Sequence, residues 1–271
     1  MEGFEGCVNY MDILFKIIIC FLAGAGAGLG TGFAGMSAAG IISPLLLTFC
    51  GVPAYQAIGI GLASDVLASA VSAWTYKKHG NLDIKNALVL LACVLSMTFV
   101  GSYVASLLPD HTMGYMSQIG LLVIGIKFLV KPGRKAGKFE NESKKKRIIK
   151  SIIGGIFVGF ICGFVGAGGG MMLLFVLTTF LGYEMHMAVG TSVFIMAFTA
   201  LIGGASHFYI GGMPDVLCLV ACVIFTLIWA RIAAVIANKA PEKVLCRIAG
   251  VIMVCTSVIV LFFNFAPMWK H

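Results

Sequence analysis

The chain is 271 residues long, 60% hydrophobic and 11% charged, with a mean hydropathy of +1.02. Soluble domains carry about 25% charged residues, so the composition excludes a soluble globular protein and predicts an all-α polytopic membrane protein. The net charge of +8 is no nucleic-acid signal, because the lysines and arginines follow the loops of one predicted membrane face.

Glu2, Glu5 and Asp12 precede the first apolar run and no basic segment does, so a cleaved signal peptide is not expected. Apolar runs follow at about 13–30, 37–50, 55–76, 86–108 and 113–130, and after a basic linker at about 148–166, 169–181, 186–209, 215–237 and 244–264. Most hold 18 to 25 residues, enough to cross about 30 Å of hydrocarbon as helix. The second and seventh hold only 14 and 13 and would reach about 20 Å. Each directly follows a glycine-rich stretch, the first from Gly24 to Gly40 and the second from Gly159 to Gly170. Glycine lowers helix propensity and admits close backbone approach, so both stretches are expected to break helices.

The two halves repeat. Gly32-Phe33-Ala34-Gly35 stands over Gly163-Phe164-Val165-Gly166 at an offset of 131, as do Thr48-Phe49 over Thr179-Phe180 and Gly51 to Gly59 over Gly182 to Gly190. Pro109 and Pro241 then align at 132. This divides the chain into a first transmembrane repeat (1–130), a basic linker (131–147) and a second repeat (148–271). The region 131–150 carries nine of the basic residues and is expected to be cytoplasmic. Counting crossings from it, with the short runs as crossings, also puts 77–85 and 238–247 inside and Lys127 and Arg231 near inner helix ends, so that 17 of the 19 basic residues share one side. Re-entrant short runs would instead place Lys239, Lys243 and Arg247 outside. Five crossings per half turn the second half upside down relative to the first. The expected fold is therefore two inverted repeats, each with a glycine-rich break, one short half-helix and about four full transmembrane helices, in the cytoplasmic membrane with both termini outside. The linker reads as a connector that sets orientation, with anionic lipid as an alternative ligand. Trp74, Tyr76 and Trp269 read as interfacial anchors.

Gly163-Phe164-Val165-Gly166-Ala167-Gly168-Gly169-Gly170, then Gly182, then Ala188-Val189-Gly190-Thr191-Ser192 resembles the TauE/SafE sulfite-exporter family of membrane permeases. The first half matches more loosely, with Gly35-Met36-Ser37-Ala38-Ala39-Gly40, Pro44 and Ala57-Ile58-Gly59-Ile60-Gly61; it lacks the triple glycine and has Ile60-Gly61 in place of Thr-Ser. The resemblance spans nearly the whole chain and implies transport of small organic or sulfur-containing anions.

Elementary physics also points to an anion. A helix that begins inside a membrane presents unpaired N–H groups and the positive end of its dipole, and glycine lets an oxyanion approach them. Ser37 with Gly35, and Gly166, Gly168, Gly169 and Gly170, are the candidate substrate contacts at the two breaks. Thr191 and Ser192 are candidate hydroxyl donors, or bond their own helix. The alternative for the glycines is close helix packing, the preferred reading for Gly24, Gly26, Gly28, Gly154, Gly155 and Gly159. Asp65 is the one acidic residue deep in an expected span; there a carboxylate must be protonated or paired, and it is a candidate for proton coupling or gating, with a structural hydrogen bond or a cation ligand as alternatives. His207 reads as a packing residue near an outer helix end. Cys20, Cys50, Cys93, Cys162, Cys218, Cys222 and Cys255 lie in apolar runs with no CxxC and read as small buried hydrophobes. No nucleophile–base pair or phosphate loop is present, so neither an enzyme nor a cofactor is expected. The leading expectation is a secondary transporter moving a small anion by alternating access, with the proton as candidate coupling ion; a passive channel and a non-transporting scaffold are the alternatives.

Overall fold

A computed structural model describes residues 2–105, 122–130, 144–165 and 169–265, and every regular element among them is helical. In chain order these are α1 (Glu2–Ala34), α2 (Ala39–Cys50), α3 (Ala54–Lys78), α4 (Ile84–Ala105), α5 (122–130) and α6 (Lys144–Val165). They continue with α7 (Gly169–Val176, extended by a π-helical turn over Leu177–Leu181), α8 (Met185–Gly211), α9 (Val216–Lys239) and α10 (Glu242–Phe265). Four stretches among the described residues are long and apolar enough to cross a membrane: Met11–Ala34, Ala54–Lys78, Met185–Tyr209 and Val216–Lys239. α4 and α6 hold 22 residues each and α10 holds 24, lengths that also suffice for a crossing. The linker boundary expected at 147 falls inside α6, whose first turn is built from Lys144, Lys145, Lys146 and Arg147. Lysine and arginine are good helix formers, so the helix starts before the apolar run does.

The exterior is apolar and the interior holds polar groups. Leu14, Leu22, Phe157, Ile228 and Phe262 are exposed, whereas Thr31, Ser64, Asp65, Ser69, Ser192 and Thr226 are buried. In water such an exposed surface would drive aggregation; in lipid it is the solvated face, and buried polar groups with small residues join the helices.

Two ends of the molecule are defined by their side-chain bonds. At one, Lys16 Nζ of α1 lies 2.8 Å from Asp215 Oδ2, beside Cys50 at the end of α2. Asp215 also caps α9 by accepting from the N–H groups of Leu217 and Cys218. The hydrogen bond from Lys16 holds the Asp215 carboxyl below the usual carboxylate range, against the opposing effect of partial burial. At the other end, Asn81 donates to Asn238 (2.7 Å), Tyr183 to Asp83 (3.1 Å), and the Met185 N–H to Glu242 (2.9 Å). The segments carrying Lys77, Lys78 and Lys85 and those carrying Lys239 and Lys243 therefore converge on one end, the basic-loop end. α2 leaves the middle of the molecule toward the Asp215 end. α7 leaves it toward the basic-loop end, where Lys127 Nζ lies 3.0 Å from Thr179 Oγ1.

Contacts recur between the halves. The N–H of Gly51 at the end of α2 reaches the Leu46 carbonyl with φ +64°, and that of Gly182 after the π turn reaches Leu177 with φ +77°; both glycines occupy the left-handed region, where side chains are disfavoured. α1 packs on α9 as α6 packs on α4, and α3 packs on α8. A Cβ on Gly28 would fall 2.6 Å from the Thr226 carbonyl oxygen and 2.8 Å from Trp229 Cβ; a Cβ on Gly159 would fall 2.6 Å from the Val94 carbonyl oxygen and 2.9 Å from Met97 Cβ. These glycines are 131 apart in sequence and their partners 132, the two offsets of the sequence repeat. Close packing is thus what Gly28 and Gly159 serve. Gly28→Ala is expected to destabilise the protein by about 1–3 kcal/mol through overpacking. Gly40→Ala, where a Cβ meets nothing within 4 Å, should be neutral or stabilising by up to about 1 kcal/mol. Thermal unfolding of the two variants in one detergent distinguishes these outcomes.

Candidate functional site

The site forms where the two glycine-rich breaks touch. α1 ends because Gly35 takes φ +60°, its N–H bonding the Thr31 carbonyl (2.9 Å) and the Met36 N–H bonding that of Gly30 (3.2 Å), a Schellman-type termination. Thr31 Oγ1 lies 2.9 Å from both the Ala27 and Met36 carbonyls and holds the turn. The break then passes Ser37 and Ala38 before α2 starts. The second break arrives from the other side: a Cβ on Gly170 would fall 2.5 Å from the Gly35 carbonyl oxygen. Ser192 of α8 joins the contact by donating to the Gly170 carbonyl (3.2 Å), while a Cβ on Gly35 would lie 3.0 Å from Ser192 Oγ.

Asp65, halfway along α3 and 1% exposed, faces the start of α2. It accepts from Ser37 Oγ (2.8 Å) and Ser69 Oγ (2.7 Å) and lies close to the Ala38 backbone N–H. A carboxylate at a helix N-terminus pairs with orphan N–H groups and with the dipole. The positive end of α2, which the sequence reading offered to an external anion, is therefore occupied by a carboxylate of the chain itself. The α7 start is different. The position 131 residues after Asp65 is Met196, whose thioether crowds Gly170, and α7 has no acidic residue in its first turn.

Between the two starts lies a cavity of about 340 Å³, lined by Ser37, Asp65, Gly169, Gly170, Met196, the N-terminal half of α3 and the C-terminal half of α8, among others. Ligand pockets begin at about this size. It reaches His207 and does not reach Tyr76, the residue 131 positions earlier. Tyr76 is buried, and its hydroxyl donates to the Gly32 carbonyl (2.9 Å). Gly190 packs against Tyr76 as Gly59 packs against His207 and Phe208.

Of the residues singled out in sequence, Ser37, Asp65, Gly169 and Gly170 line this cavity. Gly35 and Ser192 stand one layer behind it, where Ser192 bonds the Gly170 carbonyl of the second break rather than its own helix carbonyls. Thr191 is buried away from the lining, and its hydroxyl has no hydrogen-bond partner among the described residues. Gly166 and Gly168 lie outside the described residues. Gly61 stands where the second half has Ser192 because a Cβ there would fall 2.6 Å from Ala39 Cα, leaving no room for a hydroxyl. His207, which the sequence reading took for an interfacial or packing residue, also lines the cavity, as do Thr98 and Thr199, which it did not single out. Thr98 and Thr199 bond backbone carbonyls of their own helices. His207 stacks against Tyr55 (centroids 4.8 Å apart), and its Nδ1 is buried without a hydrogen-bond partner among the described residues.

A family model described as sulfite exporter TauE/SafE matches residues 20–260. The chain is 26% identical over 230 residues to the probable membrane transporter protein YdhB of Bacillus subtilis (strain 168), covering 84% of this chain and 92% of that one. It is 23% identical over 261 residues to the probable membrane transporter protein YunE of the same organism (90% and 95% covered). To a probable membrane transporter protein of Haemophilus influenzae it is 25% identical over 185 residues (66% and 68% covered). No solved structure matches.

Proposed function

The chain belongs to the sulfite exporter TauE/SafE family of membrane transporters, and from that premise we propose that it carries a small anion across the cytoplasmic membrane by alternating access between two inverted halves. The observation that carries this reading is the meeting of Gly35 with Gly170 beside one cavity, with α2 and α7 leaving it toward opposite ends. Broken helices pointing their N-termini at a central site are a recurrent transporter device.

The anion sits at the start of α7, where the N–H groups and dipole of Gly169 and Gly170 are available, rather than at α2. Its class is a sulfur-containing oxyanion, a sulfonate or a small organic acid. Asp65 in the same cavity repels it while ionised and ceases to do so once protonated. Anion and proton then favour each other's binding, which is a coupling free energy between two ligands. The basic loops face the cytoplasm, so the cavity shown, closed at Tyr76 and reaching His207, opens to the outside. The recurrence of the Tyr76–Gly190 packing as His207–Gly59 supports a second state in which the ends exchange roles.

Proteoliposomes with an imposed pH gradient test this. Saturable flux is expected for at least one of sulfite, thiosulfate, a small sulfonate or a small carboxylate. No saturable flux for any of them overturns the substrate class, and non-saturating single-channel current would establish a passive channel instead.

A further inference from the structure

The cavity between the two breaks borders α8 at Met196, Ala200, Gly203 and His207, among others. Steps of four, three and four residues keep these on one helix face. The residues 131 positions earlier are Asp65, Ser69, Ser72 and Tyr76, which share one face of α3 by the same spacing. That face borders the cavity at Ile58, Leu62 and Asp65 and continues toward the basic-loop end. Gly203 and His207 are partly exposed, whereas Ser69, Ser72 and Tyr76 are 0% exposed. Ser69 donates to Asp65 Oδ1 (2.7 Å) and Tyr76 to the Gly32 carbonyl (2.9 Å). Ser64 and Thr75 bond carbonyls of their own helix four residues back. Ser72 does not: its hydroxyl is buried with no hydrogen-bond partner among the described residues. Such orphans are few in folded proteins, and packing alone would be served as well by alanine.

We propose that Ser69, Ser72 and Tyr76 line the passage from the central cavity to the basic-loop end when that end opens, as hydroxyl contacts for the anion. The inference rests on the reading of two inverted halves that exchange access. In the second state the α3 face takes the place that the α8 face holds here, and Met196, Ala200, Gly203 and His207 take the closed packing. The Tyr76–Gly32 bond then breaks, and the Ser72 hydroxyl gains in the anion the partner it lacks. A hydroxyl donates one hydrogen bond and carries no charge. Three in file therefore pass an oxyanion on without the grip of a lysine or arginine, and weak binding at successive points is what passage requires. Ala200 and Gly203, which stand where Ser69 and Ser72 do in the first half, have no hydroxyl. The two passages thus differ in chemistry, and the hydroxyl-lined one leads to the basic-loop end.

The test reads access rather than flux, so saturable flux can stand while this assignment fails, and the reverse. Full-length Ser72→Cys and Ala200→Cys are treated with a membrane-impermeant maleimide in right-side-out and in inverted membrane vesicles. Mass spectrometry of the peptide carrying the introduced cysteine separates it from the native ones. Ser72→Cys is expected to react from the basic-loop side and Ala200→Cys from the opposite side. Ser69→Cys, run alongside, gives a second position on the α3 face should Ser72→Cys fail to fold. Adding Tyr76→Phe to Ser72→Cys removes the bond to Gly32 and should speed labelling about fivefold, the effect of one net hydrogen bond on a two-state balance. Reaction of the α3 and α8 positions from the same side overturns the proposal, as does an α3 face that reacts from neither. An unchanged rate with Tyr76→Phe removes Tyr76 from the passage.

Discussion

Asp65→Asn is expected to leave the fold standing and to abolish the response of flux to a pH gradient, while flux down the anion's own gradient persists. The physical reason lies in the two hydroxyls that donate to the carboxylate, Ser37 Oγ at 2.8 Å and Ser69 Oγ at 2.7 Å, with the Ala38 N–H beside them. An asparagine keeps one acceptor oxygen for Ser69 or for Ala38, and a hydroxyl such as that of Ser37 can rotate to accept from the new amide. The cost in stability should stay near 1 kcal/mol, the net worth of a typical hydrogen bond. What asparagine cannot do is gain and lose a proton. Asp65→Ala differs, because it strips the donors of their acceptor inside the protein and leaves the start of α2 uncapped. It should cost about 3 kcal/mol, each buried unsatisfied group contributing roughly 1–3 kcal/mol before relaxation. Flux with and without a pH gradient, with thermal unfolding of both variants, separates the two roles. Undiminished pH-driven flux in Asp65→Asn would remove Asp65 from coupling and leave it as the cap of α2.

Gly170→Val should be the most damaging single change at the meeting of the breaks. Even a Cβ at this position falls 2.5 Å from the Gly35 carbonyl oxygen and collides with the Met196 thioether. The thioether belongs to a flexible side chain and can move. The carbonyl cannot, because Gly35 is fixed by the termination of α1 and Ser192 fills the other side. The expected cost is about 3 kcal/mol, at the upper end of ordinary overpacking, together with loss of anion-dependent thermal stabilisation. The double variant Gly170→Ala/Met196→Ala decides which contact matters: if it regains wild-type stability, the thioether was the obstacle, and the backbone contact between the breaks is not what requires glycine.

Much of the fold was legible because its cause is local or periodic. Apolar runs fix where helices form, Gly51 and Gly182 announce where the short ones end, and Gly28 and Gly159, read as packing glycines, do lie against neighbouring helices. Helix boundaries were less legible where charged residues extend a helix beyond its apolar run, as Lys144 to Arg147 do in α6. Of the cavity lining, Ser37, Gly169, Gly170 and Asp65 were legible, Asp65 because a carboxylate in an apolar span always demands a partner. The identity of that partner was not, for Ser37 lies 28 residues away and meets Asp65 only because α2 folds back along α3.

The sequence by itself determined the solvent, the helices, the breaks and the repeated pattern, since each follows from composition, spacing or backbone propensity over a few residues. Tertiary structure alone decided that Asp65 stands at the start of α2 while the first turn of α7 has no acidic residue, that His207 borders the cavity and Tyr76 does not, and that Cys20, Cys218 and Cys222 pack in one cluster. These depend on which helix faces which, and helix pairing is set by close packing between residues as far apart as Gly28 and Thr226, a relation that no local pattern encodes.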